Sequence, residues 1–385
     1  MEPLEASRTA ARPVSVALWD ASAVEPLMGD WARLAACAIE PNPFFEPWFL
    51  RPAIKAFGDD DVRLLTVRVD GTLALLVPVL ATRRVLGLPM SGLRTFRHDY
   101  DPLGTPLVHR DYAAEAVGAL LDGAAGPDAG HQARVLLLTD VRGDGAFRAA
   151  LIEALRARQA PLFVVEAHTR ALFRPAASAD AFVERIFSTR QLKDLRRRER
   201  RLAETGAVEY GVDCTEMEGE RFAAEFLAVE ASGWKGEGGT ALASKPVHRA
   251  FFEEVLRGAA RERKLEGLWL RVGGAPVAMF CAVRGGPELF AWKVAYDERF
   301  AKMSPGILLE LENIRRLHEP ERRCEMDSCA TPDHELSNRL WPDRRILESV
   351  VLPLGATPVT RLAVAALPLL QWAKRQARAV RDRKR

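Results

Sequence analysis

The chain has 385 residues, 48% of them apolar and 28% charged, with a net charge of +3. That is enough apolar material for more than one hydrophobic core, so a single small domain is excluded and two domains are favoured. Five cysteines (Cys37, Cys214, Cys281, Cys324, Cys329) show neither C-x-x-C spacing nor an even count, so neither a disulfide framework nor a zinc site is expected.

Residues 1–14 have no apolar core after their charges and read as a flexible N-terminus, not a secretory signal. No run reaches the roughly 20 apolar residues of a membrane-spanning helix, so the chain is expected to stay in the cytoplasm. From Trp31 to Phe57 the pattern is helical and aromatic-rich, broken at Asn42-Pro43-Phe44-Phe45 and Pro47. Strands are expected over Val62–Val69 and Thr72–Ala81, joined by the hairpin turn Asp70-Gly71. Leu86–Pro106 reads as a loop whose polar, aromatic stretch His98-Asp99-Tyr100-Asp101-Pro102 places His98 and Tyr100 toward a substrate. A helix (Tyr112–Leu121), a strand (Arg134–Thr139), a helix (Ala146–Arg158) and a strand (Leu162–Glu166) complete a mixed α/β unit.

The second half repeats this grammar. A strand at Ala171–Arg174 leads to a helix starting near Ser178 and a basic helix over Thr189–Thr205. Next come a strand (Val208–Val212), a helix (Arg221–Ala231), a loop (Ser232–Ala243) and a helix (Pro246–Arg263). Gly267–Val272 and Pro276–Val283 form a hairpin around Gly273-Gly274, and Leu289–Tyr296 is the next strand of the same sheet. A helix over Pro305–His318 and strands at Arg323–Met326 and Ile346–Leu352 close the pattern. The repetition suggests tandem copies of one fold, over 15–168 and 169–355, followed by a basic tail over 356–385.

The strand ending at Tyr296 feeds the helix that opens at Ser304-Pro305-Gly306, which places several unpaired backbone N–H groups at the positive end of a helix dipole. That spot suits a phosphate, with Pro305 losing no needed N–H and Gly306 permitting close approach. A well-capped helix would read the same way. Lys293 sits in an apolar strand, where an inward charge must be paired or functional; it would touch a donor phosphate or an acidic acceptor, unless alternation points it outward. Asp327, Glu230 and Tyr296 are the candidates for proton transfer, Asp327 foremost because it ends the following strand, so that both strand tips would open on one cleft.

The loop Gly233–Thr240 lacks the order of a nucleotide P-loop and reads as a lid presenting Trp234 and Lys235 to substrate. Residues 190–201 carry seven bases against two acids; such a helix grips phosphate or is simply solvated. No motif for sequence-specific nucleic-acid reading accompanies it. Residues 361–385 have a net charge of +7, leaving −4 for the rest of the chain. This tail, with Trp372, reads either as an amphipathic anchor for an anionic membrane surface or as a solvated terminus.

The strings Arg190–Leu202, Glu230-Ala-Ser-Gly-Trp234-Lys235-Gly236 with Gly239-Thr240, Lys293 with Tyr296-Asp297-Glu298, Ser304-Pro305-Gly306, Asp327 and Trp341 together resemble the GNAT-superfamily acyltransferases. Within them the chain looks closest to the BioF2-like group often labelled cellulose-biosynthesis CelD proteins, related to the FemABX peptidyltransferases with two GNAT-like domains in tandem. The resemblance covers about residues 15–352. It implies an α/β fold of tandem GNAT-like domains and transfer of an acyl group, from acyl-CoA such as acetyl-CoA or a related carrier, to an amine or hydroxyl on a small-molecule or saccharide acceptor. Lys293, Ser304, Pro305 and Gly306 would hold the donor, and no metal is implied. Two alternatives stay open: an aminoacyl-tRNA-dependent transferase of the FemABX kind, and a non-catalytic accessory of polysaccharide synthesis.

Overall fold

The computed structural model describes residues 12–59, 61–123, 133–233, 238–239, 241–355, 357–358 and 360–370. Strand β1 (Val14–Asp20) and helices α1 (Met28–Cys37) and α2 (Pro47–Phe57) precede β2 (Arg63–Val69), β3 (Thr72–Val85), β4 (Leu88–Thr95) and the short β5 (Leu107–Val108). Helix α3 (Ala113–Gly123), β6 (Val135–Arg142), α4 (Ala146–Ala157) and β7 (Phe163–Phe173) follow. The second half holds α5 (Ala179–Ile186), α6 (Thr189–Ala203), β8 (Val208–Asp213), α7 (Glu216–Ala231), α8 (Pro246–Arg261), β9 (Leu265–Val272), β10 (Ala275–Gly285) and β11 (Glu288–Tyr296). It ends with α9 (Pro305–Arg316), β12 (Met326–Asp327), α10 (Glu335–Leu340) and β13 (Asp343–Pro353).

These strands form one mixed sheet in the order β1-β2-β3-β4-β6-β13-β7-β12-β11-β10-β9-β8, with β5 attached to β3. Each half contributes an antiparallel meander that ends in a parallel step, β4 against β6 and β11 against β12. The strands completing the halves are exchanged: β7, made in the first half, pairs with β12 of the second, whereas β13, made last, pairs with β6 of the first. The antiparallel β13–β7 pair joins the two halves at the centre of the sheet.

Several elements depart from the sequence reading. Leu86–Pro106 is not all loop, because Leu88–Thr95 pairs with β3 and β6 despite its Pro and Gly residues. Gly92 is needed there: a Cβ at that position would lie 2.7 Å from the Val135 carbonyl oxygen of β6. The strands expected at Leu162–Glu166 and Ala171–Arg174 are one continuous β7, and position 168 lies in its middle. Helix α7 starts five residues earlier than Arg221, at a capping box in which the Thr215 side chain and Glu218 satisfy each other's backbone N–H groups. The strand expected at Arg323–Met326 is only Met326–Asp327, since Pro320–Arg322 forms a short 3-10 turn.

Apolar side chains cover both sheet faces. Helices α7 and α8 supply Phe222, Phe226, Phe251 and Phe252 to one core, which runs on into the first half through Phe44 and Phe49 of the segment leading into and through α2. Helices α5, α6 and α9 build a second core with Phe182, Leu195, Leu202 and Leu308 on the other face. At roughly 1.5–3 kcal/mol per fully buried large apolar side chain, these faces dominate the stability of the fold. Among the described residues no helix is long and apolar enough to cross a membrane.

Candidate active site

Strands β11 and β12 run parallel only where Leu289 faces Met326 and Phe290 faces Asp327. Beyond that point β12 stops while β11 continues to Tyr296, so the sheet opens into a wedge. A cleft of about 480 Å³ fills the wedge, lined by Lys293 and Tyr296 of β11, the Ser304-Pro305-Gly306 turn, Glu310, the Ser328–Ala330 segment and Trp341. The sequence-predicted donor residues Lys293, Ser304, Pro305 and Gly306 therefore meet in one cleft, and Tyr296 joins them.

The anion-binding corner differs from the sequence expectation. Ser304 adopts a left-handed conformation (φ 53°, ψ 52°), and its carbonyl accepts from the N–H groups of Ile307 (3.0 Å) and Leu308 (3.2 Å). Pro305 has no N–H, so among the described contacts Gly306 alone in the first turn has an N–H without an acceptor. A side chain supplies what the backbone lacks: Arg198 of α6 donates from Nη1 to Ser304 Oγ at 2.5 Å and from Nε to Asp194 at 2.8 Å. The basic helix thus abuts the helix mouth. Alongside runs a groove of about 720 Å³ walled by Arg190, Lys193, Arg197, Arg198 and Arg339, with Asp194 as its acid; it shares Ile307 with the cleft.

Lys293 reaches its position through a bulge. The register against β10 passes from Ala291↔Ala282 to Lys293↔Cys281, leaving Trp292 as the extra residue. Leu289 and Ala291 pack in the α9 core, but Phe290, Trp292 and Ala295 pack in the α7–α8 core. The bulge turns Lys293 to the Trp292 side, where its Nζ lies 4.3 Å from the centroid of the Tyr100 ring. Trp292 Nε1 donates to the Tyr100 carbonyl at 3.0 Å, and the Tyr100 hydroxyl pairs with His248 Nδ1 of α8 at 2.5 Å. Burial, helped by Asp99 and Glu230, raises the Tyr100 phenol to about 12, so it stays protonated at neutral pH.

The other sequence candidates fall elsewhere. Asp327 is fully buried behind the cleft wall: Arg170 Nε lies 2.6 Å from its Oδ1, and Arg170 Nη2 and Arg345 Nη1 each donate to Oδ2 at 2.8 Å. Burial alone would raise its pKa, but the two guanidiniums and the Cys329 N–H overcome that and hold it at about 2. A carboxylate so strongly paired is a poor proton acceptor, and the proposed base role of Asp327 is corrected to an ion-pair anchor. His98 is also corrected: it stacks on Phe57 (5.1 Å, 20°) and Phe49, its Nδ1 accepts the Tyr100 N–H at 3.3 Å, and burial drives its pKa down to about 3. It is a neutral packing group that fixes the Tyr100 loop. Glu230 is buried at the end of α7 and accepts the Leu242 N–H at 2.8 Å. Trp234 and Lys235 lie outside the described residues.

Three functional candidates escaped the sequence reading. Arg198 was indistinguishable within a charge run, and His248 had no local signal. Glu310 had one, as the single acid inside Ile307-Leu-Leu-Glu310-Leu. The Glu310 carboxyl accepts Trp341 Nε1 at 2.7 Å and Asn313 Nδ2 at 3.4 Å, and burial lifts its pKa to about 7 against those bonds. A larger hollow of about 1070 Å³ between α2 and α8 shares no residue with the cleft and is walled by opposing charges such as Lys55 and Glu254, 3.0 Å apart.

Residues 189–334 match the family described as acetyltransferase (GNAT) domain. No curated protein matches the chain in sequence. Among solved structures, FemX is similar in fold, with a TM-score of 0.55, 11% identity, and coverage of 87% of this chain and 98% of FemX. A conserved protein of unknown function from Bacteroides thetaiotaomicron has a TM-score of 0.51, 15% identity and coverage of 85% and 97%. The C-terminal DUF2156 domain assigned to a lysylphosphatidylglycerol synthetase of Agrobacterium fabrum has a TM-score of 0.50, 12% identity and coverage of 89% and 96%.

Proposed function

From the match of residues 189–334 to the acetyltransferase (GNAT) domain, we propose that the chain is an acyltransferase that moves an acyl group from acyl-CoA, such as acetyl-CoA, or a related carrier onto an amine or hydroxyl. The observation that carries the reading is the wedge between β11 and β12, which ends at the mouth of α9 beside Arg198. A carrier's phosphate would meet the Gly306 N–H, the helix dipole and the Arg198 guanidinium, and its extended arm would lie along the strand edge that β12 leaves open. The acceptor would approach from the Tyr100 side of the Trp292 bulge, next to Lys293 and His248. On this reading the chain holds two GNAT-like units that exchange β7 and β13, so their boundary is not at residue 168, and only the second holds the donor. A polysaccharide or envelope precursor as acceptor rests on the resemblance to the BioF2-like group.

The direct test mixes pure protein with acetyl-CoA, longer acyl-CoAs and amino-sugar acceptors and follows thiol release. Release that depends on both substrates is expected. Absence of release with every donor, together with no donor-induced thermal shift, removes the acyl-CoA reading.

The basic groove beside the cleft favours a second reading, in which the carrier is a polyanion such as aminoacyl-tRNA. Phosphate contacts of that kind make binding steeply salt-dependent, so tRNA binding at low salt that vanishes with rising salt would support it. Association with an anionic membrane is proposed as well. Residues 360–370 are helical and expose Leu362, Leu369 and Leu370, and the sequence beyond is basic. Co-flotation with phosphatidylglycerol vesicles but not with phosphatidylcholine vesicles is the expected result.

A further inference from the structure

Glu310 is the buried acid of α9 that lines the cleft, and among the described residues no cation pairs with it. Its carboxyl sits one helical turn before Asn313, whose amide reaches Met326 Sδ at 3.7 Å under the point where β11 and β12 part. The titratable groups sharing the cleft are Lys293 and Tyr296 from β11, Cys329 after β12 and His334 before α10. None of these contributes to the Glu310 environment as strongly as burial does, and its bonds come from two neutral donors, Trp341 and Asn313. The other charges nearby are engaged: Asp327 with Arg170 and Arg345, and Arg198 with Asp194 and Ser304. A group held at the floor of a cleft by donors that suit its ionised form, yet with no neutralising cation, is poised to gain and lose a proton in situ.

Building on the acyl-transfer reading, we propose that Glu310 is the proton carrier of the cleft. As the acceptor nitrogen or oxygen bonds to the thioester carbonyl carbon and the carbon–sulfur bond breaks, the nucleophile's proton passes to the Glu310 carboxylate and from there to the departing sulfur. The products are an amide or ester and a free thiol, so atoms and charge balance with no further reactant. Trp341 and Asn313 act through Glu310, as positioning residues that hold its carboxylate toward the wedge.

Two measurements on the full chain test this. In the first, tryptophan emission is followed between about pH 5 and pH 9. Ionisation beside the Trp341 indole should give a step near pH 7 that disappears in both Glu310→Gln and Trp341→Phe; a step that survives in Glu310→Gln, or is missing from the wild type, overturns the proposal whether or not a donor has been found. In the second, thiol release from acetyl-CoA is followed against pH. Wild-type kcat/KM should rise through a limb near pH 7, and Glu310→Gln should flatten the limb and lower kcat by about 10²–10⁴-fold while binding coenzyme A within about threefold of wild type. Glu310→Asp, which keeps the acid but shortens its reach, should retain the limb at reduced kcat. A Glu310→Gln variant that keeps both limb and kcat overturns the proton-carrier role alone, whereas a wild type inert with every acyl-CoA overturns the acyl-CoA reading beneath it.

Discussion

Two carboxyls on either side of the same cleft wall, Asp327 and Glu310, are both buried in protein, yet their environments are opposite. Asp327 lies between two guanidiniums and is held ionised at about 2, while Glu310, among the described residues, has only an indole and an amide as partners and is pushed up to about 7 by burial. Burial does not decide which carboxyl can do chemistry; the partner does. The first is an anchor: Arg170 also donates to the Pro102 carbonyl at 2.6 Å, so the Asp327 cluster ties the Tyr100 loop to the cleft wall. The second is the group with freedom to titrate.

Removing the anchor should have the largest effect. Asp327→Ala leaves Arg170 and Arg345 buried without their shared partner, and a loss of about 3–5 kcal/mol in chemical denaturation is expected. A loss below about 1 kcal/mol would erase the contrast with Glu310.

Glu310 should appear as a pH effect. Its pKa is raised from 4.5 to about 7 on folding, so the folded state binds the proton more tightly. Its contribution is complete below pH 4.5 and is lost as pH rises through 7. Relative to Glu310→Gln, the wild type should therefore lose about 3 kcal/mol of stability between about pH 4 and pH 8. Parallel stability profiles of the two proteins would contradict the assignment.

Arg198→Ala removes a charge-assisted contact at the helix mouth. Coenzyme A binding, measured by calorimetry, should weaken by about 1.5–3 kcal/mol with less salt dependence, while stability changes little. The smallest effect sharpens the distinction between scaffold and site. A Cβ on Gly306 would meet nothing closer than Tyr296 Cδ1 at 3.9 Å, so Gly306→Ala should stabilise α9 by roughly 0.5–1 kcal/mol. The same methyl would stand where a phosphate approaches, so a more stable protein with weaker donor binding is expected.

The Lys293-to-Gly306 stretch was legible in the sequence because its signals are local: a hairpin glycine pair, an alternating strand, and Pro at a helix start. The Asp327 cluster was not. Its partner Arg170 is 157 residues away, and the polar Glu166–Thr169 stretch of β7 imitates a break between strands because it lies outside the cores, with Arg170 the first residue of the strand's buried end. The Trp292 bulge, which settles the direction of Lys293, depends on register with β10 and leaves no mark in β11 alone. Glu310 and Arg198 could be flagged as an acid in an apolar run and a base in a charged one, but only packing distinguishes them from their neighbours.

The exchange of β7 and β13 bears on how the molecule is made. Strand β6 waits for a neighbour that the ribosome supplies only at residues 343–353, so the first half emerges with an unsatisfied edge and must hold it open until those residues have been made. A fragment cut between the halves would carry one strand too many for itself and lack the one it needs, and is expected to aggregate or pair with its complement when expressed apart.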